Sequence, residues 1–132
     1  MFRISRKLSA TAALAAMVCA AGSLPAQAQD NTQFVPIVGY RVGQFASVGS
    51  GFYSGMVDYF NMINERDGGV NKVKITWEEC ETEYNPARGV ECYERLKNKG
   101  PTGGTLVQPM STGITYSILD RSVVDKIPLV TI

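Results

Sequence analysis

Apolar and polar positions fall in blocks along the chain, and the period within each block switches between two and about 3.6. Val35 to Val42, led by Pro36-Ile37-Val38, reads as a first strand. Gly43 to Ser50 follows as a loop. Phe52, Met56, Tyr59, Phe60 and Ile63 then recur at i, i+4, i+7, i+8 and i+11, which puts them on one face of a helix. Asp67-Gly68-Gly69 ends that helix, because glycine is free to take positive φ.

Lys72 to Trp77 alternates Val73, Ile75 and Trp77 against Lys72, Lys74 and Thr76, a half-buried strand that suits a sheet edge. Asn85 caps a second helix with Pro86 at its first position. Ala87, Val90, Tyr93 and Leu96 give that helix an inward face, and Lys97-Asn98-Lys99-Gly100-Pro101 stops it. Thr105 to Val107 reads as a short third strand, Thr112 to Val124 as a third helix, and Ile127 onward as a fourth strand. Strand alternating with helix argues for the α/β class, an open, mostly parallel, Rossmann-like βαβαβαβ sheet. The final IPLVTI is a buried-strand pattern without a turn or cap, so the expected lobe is incomplete and belongs to a longer protein.

The first 28 residues change the picture. Arg3, Arg6 and Lys7 precede an Ala-rich apolar run from Leu8 to Leu24, and Ala26-Gln27-Ala28 fits a small-x-small cleavage site. Residues 1–28 therefore read as a cleaved signal peptide, and 29–132 as the exported part. A membrane anchor fits less well, because Ser9, Thr11, Gly22 and Ser23 dilute the run. Val18 before Cys19 disfavours lipid attachment. Cleavage removes three basic and no acidic residues. Ten basic against twelve acidic side chains remain, a net charge of about −2. No basic patch with interleaved aromatics survives, which argues against a nucleic-acid partner.

Histidine is absent from the sequence, which removes the commonest general base and metal ligand. No nucleophile motif, phosphate loop, cofactor fingerprint or metal spacing is present, so nothing in these residues argues for an enzyme, a cofactor or a metal site. The acidic run Glu78-Glu79-Cys80-Glu81-Thr82-Glu83 lacks the spacing of a calcium loop and reads as a solvated loop shielding the sheet edge. Binding is argued from topology instead. In open parallel sheets, ligands settle at the carboxyl ends of the strands, here Gly43 to Phe52, Glu78 to Asn85, and Gln108 to Gly113. Ser111 and Thr112 place hydroxyls at a helix N-terminus, where partial positive charge and unpaired N–H groups favour a carboxylate. Equally, one of them simply caps the helix. Cys19 leaves with the leader, and the even pair Cys80 and Cys92 in an oxidising compartment favours a disulfide. The alternative is two thiols, with Cys92 packed under the helix.

The order helix, Asn64-Glu65-Arg66-Asp67-Gly68-Gly69-Val70, strand, Asn85-Pro86, helix resembles the first lobe of periplasmic solute-binding proteins of the branched-chain amino acid and amide type, over about Ile37 to Ile132. The resemblance implies a type I periplasmic binding protein lobe and a periplasmic location. It implies a receptor that captures a small amino acid-, amide- or carboxylate-type solute, aromatic carboxylates included, and hands it to an inner-membrane ABC permease. It further implies that Ser111 and Thr112 lie on the carboxylate-holding turn, with Thr115 a turn further on. The family's Leu-Ser-Gly-Pro-like loop corresponds to Gln44-Phe45-Ala46-Ser47-Val48-Gly49, where Val48 lines the side-chain pocket. Two departures bear on the ligand. Leu-Ser-Gly-Pro has no counterpart, and Pro109-Met110 interrupts the hydroxylated turn. Phe45 beside the loop suits a flatter, more aromatic ligand. A sensory module with the same fold is the alternative reading.

Overall fold

The computed structural model describes residues 31–131, so the expected signal peptide, residues 1–28, lies outside the described residues. Five elements follow one another: β1 (Thr32–Gly39), α1 (Ala46–Arg66), β2 (Lys74–Glu81), α2 (Pro86–Leu96) and α3 (Thr112–Asp125). β1 and β2 pair in parallel with Thr32 opposite Lys74 and Gly39 opposite Glu81. The third and fourth expected strands are reduced to single parallel bridges, Phe34 with Gly104 and Val107 with Leu129. Thr105 N–H donates to the Phe34 carbonyl at 2.8 Å, and Val130 N–H to that of Val107 at 2.9 Å. The spatial order thus runs β2, β1, the Gly104–Val107 segment, the Leu129 segment. The edge position expected for β2 is what the described residues show.

β1 is the central strand, and Phe34 to Tyr40 are all buried, as a strand covered on both faces requires. Alternate side chains feed two cores. Phe34 and Val38 join Cys80, Cys92, Tyr93, Leu96, Val107, Ile114, Ile118 and Ile127 under α2 and α3. Ile37 joins Tyr40 and Tyr53 under α1. Helices therefore cover both faces of the sheet, the outcome of parallel strands joined by crossovers.

Several expected boundaries move. The second strand runs to Glu81 rather than stopping at Trp77, so Glu78 to Glu81 is not a loop. An edge strand tolerates these charges because they find partners: Lys99 pairs with Glu78 at 2.6 Å, and Arg41 with Glu79 at 2.7 Å. The first strand ends at Gly39, short of Val42, and α1 starts at Ala46, inside the stretch read as a loop. On α1 the fully buried aromatic is Tyr53, whereas Tyr59 is exposed. On α2, Gly89 and Cys92 are buried and Ala87 points to solvent. Gly89 is required by packing, since a Cβ there would lie 2.6 Å from a methyl of Ile114 on α3. Among the described residues no helix is long and apolar enough to cross a membrane.

Candidate functional site

β1, β2 and the Gly104–Val107 segment each hand the chain to a helix at their carboxyl ends, so the N-termini of α1, α2 and α3 share one edge. They are capped differently. Asn85 accepts hydrogen bonds from the N–H groups of Ala87 (2.9 Å) and Arg88 (3.2 Å). Ser111 Oγ accepts from Ile114 N–H at 3.3 Å, while Phe45 heads α1 with no side-chain cap. Gly49 lets that first turn of α1 approach the sheet, because a Cβ there would fall 1.8 Å from the Tyr40 carbonyl oxygen.

The turn between the third strand segment and α3, together with the first turn of α3, carries three of the candidate residues. Ser111 is buried and spends one of its two lone pairs on the cap, leaving its O–H to donate. Thr112 is exposed beside it. One turn on, Thr115 is buried, and its Oγ1 has no hydrogen-bond partner among the described residues. An unpaired buried hydroxyl costs about 1–3 kcal/mol and calls for an explanation. Met110, just before the cap, sits at φ +46, the left-handed region that non-glycine residues avoid.

The other two candidates lie at the start of α1. Val48 is 54% exposed and belongs to neither core. Phe45 is 39% exposed and opens an aromatic series that sequence reasoning missed. Its ring lies 4.4 Å from that of Tyr84, Tyr84 lies 4.9 Å from Tyr40, and Tyr40 lies 5.7 Å from Tyr53. Tyr40 O–H donates to the Met110 carbonyl at 3.1 Å, and Tyr53 O–H to that of Pro109 at 2.7 Å. These two bonds tie the first and third loops together and connect Phe45, through the rings of Tyr84 and Tyr40, to Met110, the residue preceding Ser111. Burial raises the pKa of Tyr53 strongly and that of Tyr40 less, so both stay neutral donors. A tyrosine directly after a buried strand was the available signal for Tyr40. Nothing local marks Tyr84.

Tyr84 is held in an unusual way. Glu83 (φ +51) and Tyr84 (φ +62) are consecutive left-handed residues, bridged by Asn85 N–H donating to the Thr82 carbonyl at 2.9 Å. That is the arrangement of a type I′ turn, which normally takes Asn, Asp or Gly. Placing Glu and Tyr there costs roughly 1–2 kcal/mol per residue. The surroundings offset this strain. Thr82, fully buried, donates to the Gly39 carbonyl (2.9 Å) and accepts from Tyr84 N–H (3.2 Å). Glu81 accepts from Glu83 N–H at 2.7 Å and from Arg41 N–H at 2.7 Å. Behind the turn a disulfide joins Cys80 on β2 to Cys92 on α2, with Cα atoms 5.6 Å apart.

The charges near this edge are satisfied internally. Arg41 grips Glu79 through Nε (2.7 Å) and Nη2 (2.9 Å) and reaches Ser54 on α1 at 2.8 Å. Glu79 in turn raises the Arg41 pKa, chiefly by that hydrogen bond. Among the described residues no group of three or more acidic, cysteine or histidine side chains could hold a metal ion. A groove of about 620 Å³ lies between α1 and the sheet, lined by Phe52, Met56, Tyr59, Phe60, Leu106, Gln108 and Val130 among others, so it meets the third loop at Gln108. None of Phe45, Val48, Ser111, Thr112 or Thr115 lines it.

Two helices on one face, one on the other and three loops converging at the carboxyl edge define one lobe of an open α/β sheet. Residues 32–132 match the periplasmic binding protein family, and the chain belongs to it. A structure described as an ABC transporter permease from the Pseudomonas fluorescens group is similar at 46% identity and TM-score 0.70, over 76% of this chain and 24% of that one. An ABC transporter substrate-binding protein from Aeropyrum pernix is similar at 25% identity and TM-score 0.65, over 76% and 26%. A fatty acid ABC transporter substrate-binding protein from Thermomonospora curvata shares the fold at 20% identity and TM-score 0.68, over 76% and 25%. The chain thus spans about a quarter of the length of the structures it matches. No curated protein matches it.

Proposed function

We propose that residues 29–132 form the N-terminal part of the first lobe of an exported substrate-binding protein, released into the periplasm by cleavage of residues 1–28. The receptor captures a small amino acid-, amide- or carboxylate-type solute and delivers it to an inner-membrane ABC permease. Family membership supports the binding role over an enzymatic one. The observation that carries the reading is the α3 N-terminus. There Ser111 keeps an O–H to donate, Thr112 is exposed, and Thr115, one turn further on, buries an unpartnered hydroxyl. A carboxylate seated there meets the free N–H groups and partial positive charge of α3. Val48 and Phe45 form the facing wall. A second lobe then closes over the solute by hinge motion.

The test is a thermal-shift screen of the full-length mature receptor against branched-chain amino acids, short amides, urea and benzoate-type acids. A ligand present at 100 times its Kd adds about 2.7 kcal/mol of stability, a plainly visible shift. A hit in any carboxylate class supports the role given to the Ser111 turn, and silence across all four classes refutes the reading.

A further inference from the structure

Tyr84 looks, in sequence, like one more loop residue, yet the fold holds it at left-handed φ in a turn that glycine or asparagine would fill without strain. Strain of this kind persists where the surroundings over-determine it, and it gathers at ligand clamps. Here the buried Thr82 hydroxyl, the Glu81 carboxylate and the Cys80–Cys92 bridge all converge on the turn. What the turn achieves is to set the Tyr84 ring against both Tyr40 and Phe45, at 4.9 Å and 4.4 Å. Phe45 remains 39% exposed despite its tilted contact with Tyr84, and it stands at the head of α1, on the same edge as Ser111.

Resting on the receptor reading above, we infer that Tyr84 and Phe45 form a specificity-determining aromatic wall, and that the solute carries a planar apolar group together with its carboxylate. The flat group lies against this wall while the carboxylate occupies the α3 N-terminus. A ring stacked on such a pair gains contacts that a branched aliphatic side chain cannot match, worth up to about tenfold in affinity. The wall is rigid because Tyr40, behind it, is tied to the Met110 carbonyl. Little ordering is therefore left to offset the gain on binding.

The test titrates the full-length receptor calorimetrically with four probes that all bear a carboxylate: benzoate, phenylalanine, leucine and valine. The wild type is expected to bind at least one flat probe about tenfold more tightly than either aliphatic one. Tyr84→Gly removes the ring and relieves the backbone strain, so the turn stays folded. It is expected to lose that preference, and Tyr84→Phe is expected to restore it. Tighter leucine or valine binding in the wild type overturns the aromatic wall but leaves the receptor reading intact. Equal losses for all four probes in Tyr84→Gly also overturn it, because the turn would then act on the site as a whole. Failure of all four probes to bind overturns the carboxylate role given to the α3 N-terminus in the receptor reading, and the wall with it.

Discussion

Breaking the Cys80–Cys92 bridge is the perturbation with the clearest expected size. The two residues are 12 apart in sequence, and both side chains are buried, at 7% and 3% exposure. Closing a loop of that length removes about 9–10 cal/mol/K of chain entropy from the unfolded state, or about 3 kcal/mol at 25 °C. The bridge spans the Glu83–Tyr84 turn, so its loss falls on β2, the turn and the start of α2. Alanine is the replacement of choice, because serine would bury a new hydroxyl. Native-state hydrogen exchange of the full-length receptor reads the effect where it occurs. Cys80→Ala/Cys92→Ala is expected to speed exchange of β2 and α2 amides by on the order of a hundredfold. Each single variant breaks the same bond, so each is expected to cost nearly as much as the pair, far from additivity. Two singles that each cost about half of the double would show independently packed thiols and refute the reasoning. So would alkylation of both residues in the folded protein without reductant.

Further outcomes are expected from the same contacts. Tyr53→Phe leaves the Pro109 carbonyl without its 2.7 Å donor and is expected to cost about 1–3 kcal/mol in urea unfolding, with faster exchange at Met110 to Ser111. Gly49→Ala drives a Cβ to 1.8 Å from the Tyr40 carbonyl, so α1 must lift, costing about 1–3 kcal/mol in melting experiments. Asp125 accepts from Lys97 and Tyr93, each at 2.9 Å, and these bonds, Lys97 first, hold its pKa below the ordinary 3.8. A depressed carboxyl contributes stability that is present above its unfolded value and lost as pH falls through the folded one. Acid titration is therefore expected to show a loss below about pH 4 that Asp125→Asn flattens.

The legible parts of the fold were those with local chemistry. Asn85-Pro86 announced α2, and the alternation of Val73, Ile75 and Trp77 marked an edge strand, because caps and periods are written within a few residues. The start of α1 was not legible. Phe45 offers no capping oxygen, and Gly49, Gly51 and Gly55 depress helix propensity, so packing of Gly49 on Tyr40 decides where that helix begins. The run from Glu78 to Glu81 looked like loop because its charges are neutralised only in three dimensions, by Arg41 and Lys99. In the candidate site, Ser111, Thr112 and Thr115 could be placed on a helix N-terminus from the turn chemistry. Tyr40, Tyr53 and Tyr84 could not, since the loop partners that fix them lie 39 to 70 residues away, and Tyr40 and Tyr53 are themselves 13 apart. The bulk of the site's rigidity lives in those distant pairs.

The central claim is that solute binds at the carboxyl edge, on the Ser111 turn. Hydrogen–deuterium exchange of the full-length receptor, with and without a ligand found in the thermal screen, tests it most directly. The account predicts slower exchange at Ser111 to Thr115, with smaller effects at Phe45 to Gly49 and at Glu83 to Asn85. Protection confined to the α1 groove around Met56 and Leu106, with the Ser111 turn unchanged, would contradict it.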